Sequence, residues 1–105
     1  MNVLIVTFHL EGVAAAEYSR TCEKLAPRFA AVPGLISKVW LADPATKAYG
    51  GVYTFRDRQA LDGYLTSELF GSLAGMPGLG EVAVHAYGVL EGPTAVTRGA
   101  INAAA

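Results

Sequence analysis

Two histidines, a tryptophan, two tyrosines and a lysine carry most of the chemistry this chain can offer. His9 and His85 are its only imidazoles. Such a side chain titrates near neutrality, so either could take a proton from a weakly acidic ligand. Trp40 and Tyr53 each join a ring face to a polar edge that needs a partner when buried. Lys38 and Trp40 alternate along one stretch, so on a strand they share a face. The lysine could then hold an anion beside the indole. Phe55 and Tyr64 complete the set. Together these residues suit an apolar pocket with a proton acceptor, and donors that hold the resulting anion. We therefore read His9 and His85 as candidate catalytic residues. Lys38, Trp40, Tyr53, Phe55 and Tyr64 are candidate substrate contacts.

Each residue also has a plainer reading. Aromatic side chains on the strands of a small domain usually pack in its core, and Phe8, Phe55 and Tyr87 fit that role. The histidines could equally be structural side chains satisfied by a neighbour. Cys22 falls on the apolar stripe of a helical segment, which suits a packed thiol better than a nucleophile.

Other chemistries lack their residues. There is no His-x-x-x-His pair and no cysteine cluster, so no metal is expected. A histidine pair with a carboxylate from separate strands remains the one open metal set. Residues 75–80 are glycine-rich but do not open a helix directly after a strand, as a phosphate loop does. They read as a connector first and a lid second. No Ser-His-Asp grouping is suggested by local spacing. The formal net charge is −1 with scattered Lys and Arg, which argues against nucleic acid. One cysteine rules out an internal disulfide and suits a reducing cytoplasm. No apolar run reaches the roughly 20 residues of a membrane helix. No positive segment precedes the apolar start, as a signal peptide would require.

The elements that must position these residues follow from periodicity. Residues 3–10 read as a strand and 14–31 as a helix, with Tyr18, Cys22, Leu25 and Phe29 at helical spacing. Pro27 should kink or shorten that helix. Residues 35–42 and 49–56 read as a hairpin around Asp43-Pro44-Ala45-Thr46. Asp57 can cap a second helix whose buried stripe is Leu61, Tyr64, Leu65 and Leu69. Residues 71–80 read as a loop, 81–90 as a fourth strand, and the tail beyond residue 93 as weakly patterned. Residues 1–93 thus form a single domain, followed by the tail 94–105. The order β-α-β-β-α-β is ferredoxin-like, an α+β fold with both helices on one face of a four-stranded antiparallel sheet. With 52% hydrophobic and 16% charged residues, there is more apolar material than one small core requires. Both faces of the first and last strands are largely apolar. A second copy on the bare face is the economical cover.

Three stretches carry a resemblance. Pro33-Gly34-Leu35 leads into Lys38-Val39-Trp40. Gly50-Gly51-Val52-Tyr53-Thr54-Phe55 precedes Asp57, and Tyr64-Leu65 follows. In combination these resemble the YdhR-like monooxygenases, a branch of the dimeric α/β-barrel superfamily, over roughly residues 3–93. The resemblance implies a homodimer whose sheets close into a barrel, with a pocket between each sheet and its helices. It further implies oxidation of a small aromatic substrate, quinol- or anthrone-like, by O2 without metal or flavin. His9 and His85 lie outside the shared motif, so it says nothing about them. An isomerase or cyclase on the same scaffold, and a non-catalytic ligand-binding dimer, are the rival readings. A haem protein with His9 or His85 as axial ligand is an outlier.

Overall fold

The computed structural model describes residues 1–99. Strand β1 (Asn2–Leu10) is followed by helix α1 (Ala15–Ala30), then by strands β2 (Leu35–Asp43) and β3 (Ala48–Phe55). Helices α2 (Arg58–Leu65) and α3 (Glu68–Ala74), strand β4 (Leu79–Gly88) and helix α4 (Glu91–Val96) complete the chain. The four strands form one antiparallel sheet in the order β2-β3-β1-β4. This is the ferredoxin-like α+β arrangement that the element order predicts.

Alternation along β1 sets the two faces. Leu4, Val6, Phe8 and Leu10 are buried, while Val3, Ile5, Thr7 and His9 are only partly covered. Opposite residues of an antiparallel pair point to the same side. Leu4 faces Tyr53 and Phe8 faces Tyr49 on β3, and Tyr53 in turn faces Lys38 on β2. These residues form the inner face. It packs on Tyr18 and Phe29 of α1, Leu61 and Tyr64 of α2, and Leu73 of α3. The outer face carries Ile5, Val39, Val52, His85 and Tyr87 by the same registers. Val39 is 58% exposed and Tyr87 53%.

Helix α1 fills the stretch expected over 14–31 to within a residue at each end, and the structure departs from the sequence expectation in three later places. Helix α1 runs three residues past Pro27. Proline removes one backbone donor, but Phe29 is buried in the next turn and anchors the helix end. The second helix is two. Thr66 and Ser67 turn their hydroxyls onto carbonyls of the preceding turn, with Ser67 Oγ donating to Tyr64 O at 2.6 Å. That competition ends α2. Ser67 Oγ then accepts from Phe70 N at 3.2 Å and caps α3. The loop expected over 71–80 shrinks to 75–78, because α3 takes its start and β4 its end. Residues 91–96 are helical, since Pro93 lies in the first turn, where its missing N–H costs nothing. Helix α4 straddles the boundary drawn at residue 93. Residues 100–105 of the expected tail lie outside the described residues.

The Ser67 cap gives the first prediction. Ser67→Ala should cost about 1 kcal/mol of stability, read as a lower urea midpoint at unchanged slope.

Candidate functional site

The inner face of the β2–β3 hairpin and the helices packed on it gather four of the sequence-predicted residues, Lys38, Trp40, Tyr53 and Tyr64, and add Phe29 and Gly51. The turn at residues 44–47 sets one unbroken hairpin register from Asp43↔Ala48 to Ser37↔Thr54, so Lys38 lies opposite Tyr53, and Trp40 opposite Gly51. Glycine at 51 leaves a trough across β3. A Cβ there would come within 2.8 Å of Lys38 Cε and 3.2 Å of Tyr53 Cε1. The lysine stem therefore crosses the strand where no side chain stands. Its Nζ ends 3.4 Å from the Trp40 ring centroid, 3.5 Å from that of Phe29 and 4.6 Å from that of Tyr53.

This amine sits in a box of aromatic faces. No ion pair among the described residues includes it. Burial disfavours its charged form and brings its pKa down to about 7, with only a small opposing effect from Cys22. The ring faces attract the cation and offset part of that cost.

Behind the amine, Tyr53 and Tyr64 share a hydrogen bond of 2.9 Å between their hydroxyls. Burial, with each phenol's charge disfavouring its neighbour's, holds Tyr53 protonated far above the usual phenol range. Burial pushes Tyr64 up to about 12, although its bond to Tyr53 works the other way. Both phenols are therefore neutral donors near pH 7. Tyr64→Phe would leave the Tyr53 hydroxyl without its partner. It should cost about 1–2 kcal/mol, measured by urea unfolding.

Three cavities surround the cluster. One of about 250 Å³, between α1 and β2, is lined by Phe29, Lys38, Trp40, Ala26, Leu35 and Ser37 among others. A second, of about 270 Å³, has Tyr18, Cys22, Trp40 and Tyr49 in its walls, so the indole separates the two. Burial also raises the Cys22 thiol, which suits a packed, protonated side chain. The largest cavity, about 680 Å³, is a groove between the end of α1 and helices α2 and α3. Of the sequence-predicted residues only Tyr64 lines it. The amine and the ring faces belong to the smaller pair, which are therefore the better candidates for chemistry. Tyr64 and Tyr53 connect the groove to the amine.

The other candidates are placed differently. Phe55 is fully buried, stacked 6.1 Å from Tyr53, and lines none of these cavities. His9 and His85 stand on the outer face, on the other side of the sheet from Lys38 and Trp40. His85 lies alongside Tyr87, 6.4 Å between ring centroids. His9 Nδ1 is 3.0 Å from a Glu81 carboxylate oxygen, off the line of a hydrogen bond. Glu81 reaches it from a β4 irregularity at which its own φ is +54°. Among the described residues no group of three His, Cys, Asp or Glu is placed to hold a metal ion. No described helix is long and apolar enough to cross a membrane.

Sequence reasoning did not single out Phe29 or Gly51 for the site. Phe29 was legible only as one member of the helical stripe. Gly51 was legible within the Gly-Gly-Val-Tyr-Thr-Phe motif, without its purpose.

Known structures share this architecture. SnoaB, a cofactor-independent oxygenase from Streptomyces nogalater, superposes with a TM-score of 0.68 at 18% identity, covering 86% of this chain and 93% of its own. MhuD, a heme-degrader from Mycobacterium tuberculosis solved with two hemes in its active site, gives 0.68 at 16% identity, over 86% and 96%. An antibiotic biosynthesis monooxygenase gives 0.70 at 16% identity, over 86% and 99%. At these identities the likeness carries the fold alone. No curated protein matches the sequence. The family described as "Putative mono-oxygenase ydhR" matches residues 3–100, nearly the whole chain. The chain belongs to the YdhR mono-oxygenase family.

Proposed function

We propose that this protein oxidises a small, acidic aromatic substrate, anthrone- or quinol-like, with O2 and without an organic cofactor or metal. The observation that carries this reading is the amine of Lys38, without an ion-pair partner among the described residues, in a box of aromatic rings beside two small cavities. An amine poised near neutrality accepts a proton from such a substrate, and as the ammonium it holds the anion left behind. Trp40 and Phe29 offer ring faces to the substrate plane. Tyr53 and Tyr64 stand behind the amine and hold it in position.

For an anthrone, the anion passes one electron to O2, and the radical pair joins into a peroxide. Breaking the O–O bond with loss of water leaves a new carbonyl. One oxygen atom of O2 stays in the product and the other leaves as water. His9 and His85 could serve a substrate only on the outer face. The haem reading finds neither imidazole beside these cavities.

Oxygen uptake by metal-free, flavin-free protein with a panel of anthrones and quinols tests the reading. Uptake above the buffer rate supports it. Uptake lost in His9→Ala or His85→Ala, but kept in Lys38→Met, would move the proton acceptor to the outer face. Turnover that persists without oxygen would favour the isomerase or cyclase. Ligands that bind and stabilise without any turnover would favour a binding protein.

The working unit in this proposal is a homodimer, because the apolar outer face has Val39 and Tyr87 more than half exposed. Light scattering should give twice the chain mass. Val39→Asp should lower it to the monomer mass, since a buried, unpaired carboxylate opposes association. A wild-type monomer at micromolar concentration would overturn the dimer.

A further inference from the structure

We infer that Lys38 is also a carbonyl-capturing amine, forming a covalent imine with small aromatic aldehydes that enter the cavity between α1 and β2. This activity needs no oxygen and does not depend on the oxidation proposed above.

The inference rests first on construction. The trough at Gly51 admits the lysine stem across β3, and Phe29, Trp40 and Tyr53 close around its end. Phe29, Lys38 and Trp40 also line the cavity of about 250 Å³, so a ligand there meets the groups that surround the amine. The titratable neighbours are Cys22 on α1, Tyr53 on β3 and Tyr64, which bonds Tyr53, on α2. All three are held protonated and uncharged by burial. Among the described residues no carboxylate pairs with the amine to keep it as ammonium. A lysine desolvated in an apolar pocket keeps a free lone pair at neutral pH and is a nucleophile.

In the reaction that follows, the nitrogen attacks the carbonyl carbon and a C–N bond forms. A proton moves from nitrogen to oxygen, giving a carbinolamine. The C–O bond then breaks and the oxygen leaves as water. The net change is aldehyde plus amine to imine plus water, with no oxidant or reductant. Protonation of the imine gives an iminium whose charge is spread and weakly hydrated. It therefore loses less than an ammonium on leaving water, while the same ring faces attract it. The box favours the covalent adduct over the free ammonium.

The chain offers internal controls, since Lys24 and Lys47 are its only other lysines. Both are exposed. The full-length protein is incubated anaerobically with benzaldehyde and sodium cyanoborohydride, and the secondary-amine adducts are mapped by peptide mass. At pH 7 Lys38 should be labelled about tenfold faster or more than Lys24 and Lys47. From pH 9 to 7 the Lys38 rate should hold nearly level, then fall. The rates at the exposed lysines should drop about tenfold per pH unit throughout. Gly51→Ala, which crowds Cε, should bring Lys38 labelling down to the level of Lys24. If that variant fails to fold, the pH series on the native chain decides alone. Equal labelling of the three lysines, or no adduct at Lys38, overturns the inference. Because oxygen is absent from the assay, failure of oxygen uptake leaves this inference untouched, whereas equal labelling of the three lysines would also remove Lys38 as the proton acceptor proposed above.

Discussion

Lys38→Met is expected to lower oxygen uptake about a hundredfold or more, the ordinary worth of a positioned proton acceptor. Methionine keeps most of the stem's volume in the trough at Gly51, so the aromatic box should survive. The loss should fall on kcat more than on KM, because the rings that hold the substrate remain.

The same variant should change how stability depends on pH. The unfolded chain holds the lysine proton up to about 10.5, whereas the native amine releases it near 7. Between these values the unfolded state binds more protons, so native stability rises as pH increases from about 7. Below that, the amine is charged in both states and the burial penalty is fully present. Above pH 10 the buried phenols of Tyr18 and Tyr53 oppose the trend, since they keep protons that the unfolded chain sheds. Urea midpoints of the wild type should therefore climb from pH 7 to 8, and those of Lys38→Met should stay flat there, since the raised Cys22 thiol opposes the trend only as pH nears its ordinary value of 9. A parallel climb in both proteins would mean that Lys38 titrates as an ordinary surface lysine. Uptake unchanged in Lys38→Met would remove the amine from the mechanism.

Gly50→Ala is expected to have the largest effect on folding. Gly50 lies opposite Thr7, where β3 crosses β1 in the middle of the sheet. A Cβ at that position would collide with the Val6 carbonyl oxygen and come within 2.9 Å of Thr7 Cα. Neither is a flexible side chain that can swing aside. To relieve the overlap the two central strands must part, and the pairs that bury Val6 and Phe8 lie beside it. We expect a loss of about 4 kcal/mol, or roughly 20 °C in Tm, by calorimetry. A Tm within a few degrees of wild type would show that the sheet accommodates the methyl group. Gly51→Ala makes the contrast. Its Cβ meets the end of the lysine stem, so it should disturb the amine far more than the fold.

These adjacent glycines show how much of the site was legible beforehand. Alternation alone put Lys38 and Trp40 on one strand face, and helical spacing put Tyr18, Cys22, Leu25 and Phe29 on one stripe. Short-range periodicity reports such facts because it reflects the pleat and the helical turn. It could not say that Lys38 and Tyr53 are opposite each other. That register depends on the turn at residues 44–47, and one residue of slip would have changed which residues of the two strands share a face. Nor could it part the histidines from the tryptophan, since both faces of β1 and β4 are largely apolar and only packing against α1 and α2 tells them apart.

The break at Thr66 and Ser67 was hidden for a related reason. The apolar spacing of Leu61, Tyr64, Leu65 and Leu69 runs through it, whereas the hydroxyls that interrupt the helix act through local hydrogen bonds. By itself the sequence determined the order of the four strands and the helices that connect them, the ferredoxin-like topology, the family and the members of each strand face, but not the split of the second helix or the helix after β4. Those properties follow from local geometry and from motifs whose order the chain preserves. The tertiary structure alone decided which face became the core, that Phe29 closes over Lys38, and that the amine has no counter-ion among the described residues. These depend on which distant segments meet, and a lysine's charge state is set by the water and carboxylates absent around it.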